Sequence, residues 1–185
     1  MNSLWRLPVT AQIGGREYKL HTDFRDILEI FSYLEDPELP ELLRWQIAVA
    51  LFFEERIPEE DQQAAMEYLA DFIRCGSKEE TPGPKLLDWQ QDAPAILADI
   101  NRVSGQEVRG AAYIHWWTFL SWFHAIGEGQ VSALVGIRDK LRRGKRLEGW
   151  EKDFYRENRQ RVELKKRYSR QELQEQERLQ ALLGK

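Results

Sequence analysis

His115 and His124 bracket the run His-Trp-Trp-Thr-Phe-Leu-Ser-Trp-Phe-His, and paired imidazoles are the first groups to consider as zinc ligands. Their spacing argues against it. Nine positions on one helix are about 900° of rotation, so the two rings point to opposite sides. His21 lies in a different part of the chain and reaches either one only through tertiary folding. Cys75 has no nearby histidine and no Cys-x-x-Cys partner, so it reads as a packing residue rather than a nucleophile. No Gly-x-x-x-x-Gly-Lys-[Ser/Thr] loop occurs, and Gly14-Gly15 has hairpin context instead of opening a phosphate-binding helix. The carboxylates Glu54, Glu55, Glu59, Glu60 and Asp61 gather at helix ends, where solvation and the helix dipole account for them. The expectation is a non-enzymatic protein with no catalytic residues, no metal and no cofactor.

Binding chemistry has more material. Arg138, Lys140, Arg142, Arg143, Lys145 and Arg146 place six cations in nine residues at the end of an amphipathic segment, a cluster suited to acidic protein or to phosphates. Residues 1–137 hold 11 Lys and Arg against 22 Asp and Glu, a balance of −11, whereas residues 138–185 hold 16 against 9, a balance of +7. The overall −4 therefore hides an acidic body and a basic C-terminal quarter. So acidic a body opposes approach to nucleic acid. Trp117 and Trp122 flank the stripe formed by Trp116, Leu120 and Phe123. Together with Arg138, Arg142, Arg143, Lys145 and Arg146 they are the candidate protein-binding residues.

These groups must be carried by helices. A hairpin over residues 9–20 is signalled by the alternation of Val9, Ala11 and Ile13, by Gly14-Gly15, and by Tyr18 and Leu20. Thr22 or Asp23 then caps a helix ending at Asp36-Pro37, and Pro40-Glu41 opens an apolar one ending near Glu54. Pro58 starts a third helix, closed by Cys75-Gly76, and residues 77–85 have linker composition. Asp88 is read as the N-cap of the next helix, with Pro94 bending it, and Gly105 as its end. The aromatic helix is expected to begin between Glu107 and Ala112 and to finish at Gly127. So apolar a circumference belongs either in a core or against a partner. One more amphipathic helix precedes Gly144.

The expected class is mainly α, a compact helical bundle with a short N-terminal β-hairpin and a basic, extended helical tail. Residues 1–150 form the domain and 151–185 the polar tail. The last 30 residues should project or order on binding, since 156–167 offer few apolar side chains and a final helix from Ser169 offers only leucines. With 185 residues, one cysteine, no apolar run of about 18 residues and no basic segment leading into an apolar N-terminal one, a soluble cytoplasmic protein without a signal peptide is expected.

Four segments resemble one family. Thr22-Asp23-Phe24-Arg25, the stretch Leu87-Asp88-Trp89-Gln90-Gln91-Asp92-Ala93-Pro94-Ala95-Ile96, the group His115-Trp116-Trp117-x-Phe119, and Ile137-Arg138 with the basic run after it occur in the order seen in the bacteriophage gene-product-fifteen family of tailed phages and prophages of Gram-positive bacteria. The likeness covers roughly residues 9–167 and brings no catalytic residues with it. It implies a tail assembly protein encoded beside the long tape-measure protein, and hence a chaperone in the host cytoplasm whose partners are the tape-measure protein and other tail assembly proteins. Self-association stays open. The alternatives are a structural component of the virion and, further off, a nucleic-acid-binding protein using the basic segment; no membrane partner is expected.

Overall fold

Gly14 and Gly15 have φ of 56° and 77°, the pair of left-handed positions that a two-residue turn needs to match the twist of its strands. They join β1 (Thr10–Ile13) to antiparallel β2 (Arg16–Lys19), with Ile13 opposite Arg16. Ala11, Ile13, Tyr18 and Leu20 are buried beneath the ribbon. The edge of β2 is covered by the chain leaving the second helix, through a Leu20–Phe53 bridge and the Glu54 N–H donated to the Lys19 carbonyl.

The computed structural model describes residues 5–76 and 83–182, and it is mainly α. The helices are α1 (Phe24–Leu34), α2 (Glu41–Phe52), α3 (Gln62–Ile73), α4 (Ala93–Ser104), α5 (Trp116–His124), α6 (Gln130–Arg142), α7 (Trp150–Glu157), α8 (Arg159–Val162) and α9 (Arg170–Leu182). Short 3-10 turns at Glu59–Asp61 and Val108–Gly110 lead into α3 and follow α4. Asp23 caps α1 by accepting the Arg25 N–H at 2.9 Å. Ile27 and Ile30 then face inward, completely buried. Most of the expected linker lies outside the described residues, as do Leu183 and the end of the tail.

Three helix starts differ from expectation: α3 begins at Gln62 after a 3-10 turn over Glu59–Asp61 instead of at Pro58, α4 is preceded by a local turn, and the start of α5 is set by a tertiary contact. α4 begins at Ala93, so Pro94 falls in its first turn, where no backbone donor is needed and no bend results. Asp88 instead organises the turn before the helix, its carboxylate accepting the N–H groups of Gln90 and Gln91. α5 begins at Trp116 rather than between residues 107 and 112. The chain before it is drawn out to form a bridge between His115 and Asp23.

The core question for the aromatic segment is settled by burial. Trp116 and Phe119 are 1% exposed, and Phe119 stacks on Phe24 with centroids 4.4 Å apart and planes 6° from parallel. Phe31, Trp89 and Phe123 continue the aromatic contacts around Trp116 and Trp89. A ring stack of this kind adds to what burial alone contributes.

The tail needs a correction. Residues 156–167, expected with the rest of the tail to project or to order on binding, lie against the body, and Val162 is completely buried. Few apolar side chains are required because backbone carbonyls of this segment satisfy buried donors, as described below. Only α9 matches the expected extended, polar character, with residues 171–181 all exposed. Phe119→Ala should lower unfolding free energy by about 3–5 kcal/mol in urea titration, whereas Leu173→Ala should change it by less than about 0.5 kcal/mol.

Candidate functional site

Two polar networks tie the helices together. The first surrounds the aromatic helix. The Trp116 N–H donates to the Thr22 carbonyl at 2.8 Å, the Phe24 N–H to the Ile114 carbonyl at 2.9 Å, and the Ile114 N–H to Asp23 Oδ2 at 3.0 Å. Arg25 grips both oxygens of Asp23 through Nη1 and the carbonyls of Val108, Arg109 and Ala111 through Nη2. These bonds hold the strand-like entry to α5.

His115 sits at that entry as the N-cap. Its Nδ1 accepts the Trp117 N–H at 3.0 Å, so the ring proton is on Nε2, which donates to the Pro8 carbonyl at 3.0 Å. Burial pushes its pKa below the ordinary 6.5, against an upward pull from the Pro8 carbonyl. The two tryptophans that follow reach across to the C-terminus of α3. Trp116 Nε1 donates to the Ile73 carbonyl and Trp117 Nε1 to the Phe72 carbonyl, both at 2.9 Å, at the helix end where carbonyls lack intrahelical partners. Each polar atom of the His-Trp-Trp group thus has a structural task.

The second network centres on Arg138, 5% exposed. A guanidinium has five N–H donors, and here five acceptors meet them. Nη1 bonds Asp92 Oδ2 at 2.6 Å and the Leu86 carbonyl at 2.9 Å, Nη2 bonds Asp92 Oδ1 and the Arg161 carbonyl at 2.8 Å, and Nε bonds the Val162 carbonyl at 2.7 Å. The Gln91 amide extends the seam, donating to the carbonyls of Arg161 and Glu163 and accepting the Lys165 N–H. Arg167 then bonds both oxygens of Asp88. Burial raises the Asp88 pKa, but the Gln91 N–H, Arg167, Lys85 and the Gln90 N–H outweigh it and hold the carboxyl below its ordinary value.

A third buried carboxylate, Asp99, accepts the Val131 N–H at 2.8 Å at the start of α6. Gly129 is required beside it: a Cβ there would lie 2.5 Å from Asp99 Oδ1. Among the described residues, no three His, Cys, Asp or Glu side chains group as a metal site would need. Burial pushes the Cys75 thiol up to about 11, so it stays protonated at neutral pH.

The family described as Bacteriophage Gp15 protein matches residues 5–164. The chain belongs to the bacteriophage Gp15 family. No curated protein and no solved structure matches it. In this Gp15 chain each of the four segments that carry the resemblance contributes to one of the two networks: Thr22 to Arg25 and His115 to Phe119 to the first, Asp88 to Asp92 and Arg138 to the second, while the basic run after Arg138 lies outside both.

The candidate binding residues divide accordingly. Arg138 is withdrawn from the surface into its ion pair, and Trp117 is half-buried with its indole N–H committed. Trp122 is half-buried against the core. Arg142 and Arg143 are exposed, but both pair with Asp139, whose carboxyl is lowered chiefly by the Arg142 hydrogen bond. Lys145 and Arg146 are exposed beyond α6 and make no ion pair among the described residues. The structure therefore does not bring the seven together into one site. Reading the sequence for candidates missed Asp92, Arg25, Asp99 and Arg167; the i, i+4 carboxylates Asp88 and Asp92 were the visible signal for part of this set.

Breaking one partner of a buried ion pair leaves an uncompensated charge. Arg138→Met should cost about 3–5 kcal/mol in chemical denaturation, whereas Arg142→Gln should cost less than about 0.5 kcal/mol. For His115 the unfolded chain takes up a proton near pH 6.5 that the folded chain binds less well. Its contribution is therefore full above that pH and is lost as pH falls. Urea midpoints followed downward from neutral pH should decline, and His115→Asn, which retains an N-cap acceptor, should flatten the decline.

Proposed function

We propose that this Gp15 chain is a non-enzymatic tail assembly chaperone that binds the tape-measure protein in the host cytoplasm during tail morphogenesis. The observation that carries the reading is the division of labour just described. Most polar residues of the segments that carry the resemblance hold the scaffold, the exposed basic run after Arg138 excepted, and the chain is left with apolar surface on a strongly charged body. Leu7, Val9, Leu42, Leu43 and Trp150 are all exposed, while 31% of residues are Asp, Glu, Lys or Arg.

That combination suits a client that is long, helical and rich in apolar faces. A chaperone for it must offer apolar contact without itself precipitating. The surrounding charge supplies solubility and selects the partner's charge as well. A rigid scaffold is equally needed, because ordering flexible side chains on binding costs free energy that a preformed surface avoids.

Co-expression of the chain with its tape-measure protein tests the reading. A complex should be recovered by affinity pull-down, and the soluble fraction of the tape-measure protein should rise. Absence of both would overturn it. Mass spectrometry of purified virions separates the chaperone from a retained structural component, which would be present at stoichiometric level.

A further inference from the structure

A groove of about 420 Å³ runs between α2 and α3, with Leu42, Trp45, Met66 and Ala70 as its apolar lining and Glu41, Gln63 and Glu67 beside them. Leu42 is 64% exposed and its neighbour Leu43 40%. The fold does not require these side chains. The buried residues of α2 are Ala48, Val49 and Phe52, all in its C-terminal half. The first turn thus places two leucines in solvent, a cost in water that contact with an apolar partner would remove.

Shape and charge together indicate what covers it. Two packed helices leave a trough in which the apolar stripe of a third helix can lie, with side chains at i, i+3, i+4 and i+7 as anchors. Met66 offers an unbranched, adaptable side chain to such anchors. Among the described residues, no cation lines the groove. Glu41 and Glu67 make no ion pair among the described residues, Glu67 accepting only the Gln63 amide at 2.8 Å. The body around them has a balance of −11. Carboxylates at the rim favour a helix flanked by Lys or Arg and repel an acidic one.

We propose that the α2–α3 groove is a docking site for an amphipathic helix of a partner protein whose apolar stripe is flanked by basic residues. That this helix belongs to the tape-measure protein rests on the function proposed above; the chemistry of the groove does not.

The test uses the full chain with two probes, the tape-measure protein in pull-down and a synthetic Leu/Lys amphipathic helical peptide in titration followed by backbone NMR. Leu42→Asp and the double variant Glu41→Lys/Glu67→Lys are compared with wild type, their thermal midpoints confirming that both fold. The expected result is peptide-induced shifts confined to residues 41–45 and 63–70, affinity reduced at least about tenfold by either variant, no binding of a Leu/Glu peptide, and loss of the tape-measure complex. If wild type and both variants capture the tape-measure protein and bind the basic peptide equally, the groove is overturned and the chaperone reading stands. If wild type fails to capture it but binds the basic peptide at the groove, the chaperone reading fails and the groove stands. A peptide that binds elsewhere or not at all, or self-association abolished by Leu42→Asp, overturns the proposal.

Discussion

A guanidinium can be buried only where every one of its donors finds an acceptor, and Arg138 meets that requirement with groups drawn from three separate parts of the chain. Asp92 lies 46 positions away, Leu86 lies 52, and the carbonyls of Arg161 and Val162 lie 23 and 24. The arrangement is all-or-none in character, because a partly satisfied buried charge is worse than an apolar core. It therefore specifies how α4, α6 and the segment around α8 must meet. Asp99 of α4 fixes the same pair of helices from the other end by accepting the Val131 N–H at the start of α6.

The aromatic helix is held by a similar logic. His115, Trp116 and Trp117 join it to the N-terminal segment and to the end of α3, while Asp23 and Arg25 hold its approach. Rings supply the buried area and N–H groups supply direction, so the helix has one seat rather than several. Consequently the aromatic segment is a core element, and the proposed function must draw on surface that these networks leave free. Membership in the Gp15 family and a scaffold-holding role for its recognisable residues are compatible, since a binding surface depends on rigid support.

Much of the fold was legible in local signals. The Gly14-Gly15 hairpin, the Asp23 cap, the stop at Gly105 and the amphipathic stripe of α6 follow from turn chemistry and periodicity, which act over a few residues. The entry to α5 was misplaced because its extended backbone is imposed by Asp23 and Arg25, about ninety positions earlier. Arg138 looked like one more member of a basic run; nothing local distinguishes it from Arg142, and only the fold places Asp92 against it. Likewise, 156–167 looked too polar to pack because the contacts it makes are mostly through carbonyls, which every sequence possesses. The exposed leucines of α2 were hidden for the opposite reason. Leu42, Leu43, Trp45, Ile47, Val49, Leu51 and Phe52 cover so much of the helix that periodicity selects no outward face.

The central claim is that the two buried networks build the scaffold while, as proposed, the free apolar face of α2 and α3 meets the partner. Hydrogen exchange of the full chain, alone and in complex with the tape-measure protein, tests it most directly. The account predicts added protection concentrated in residues 41–45 and 63–70, with the amides of α5 and the start of α4 unchanged. New protection centred on α5 or on the Arg138 seam, with α2 unaffected, would contradict it.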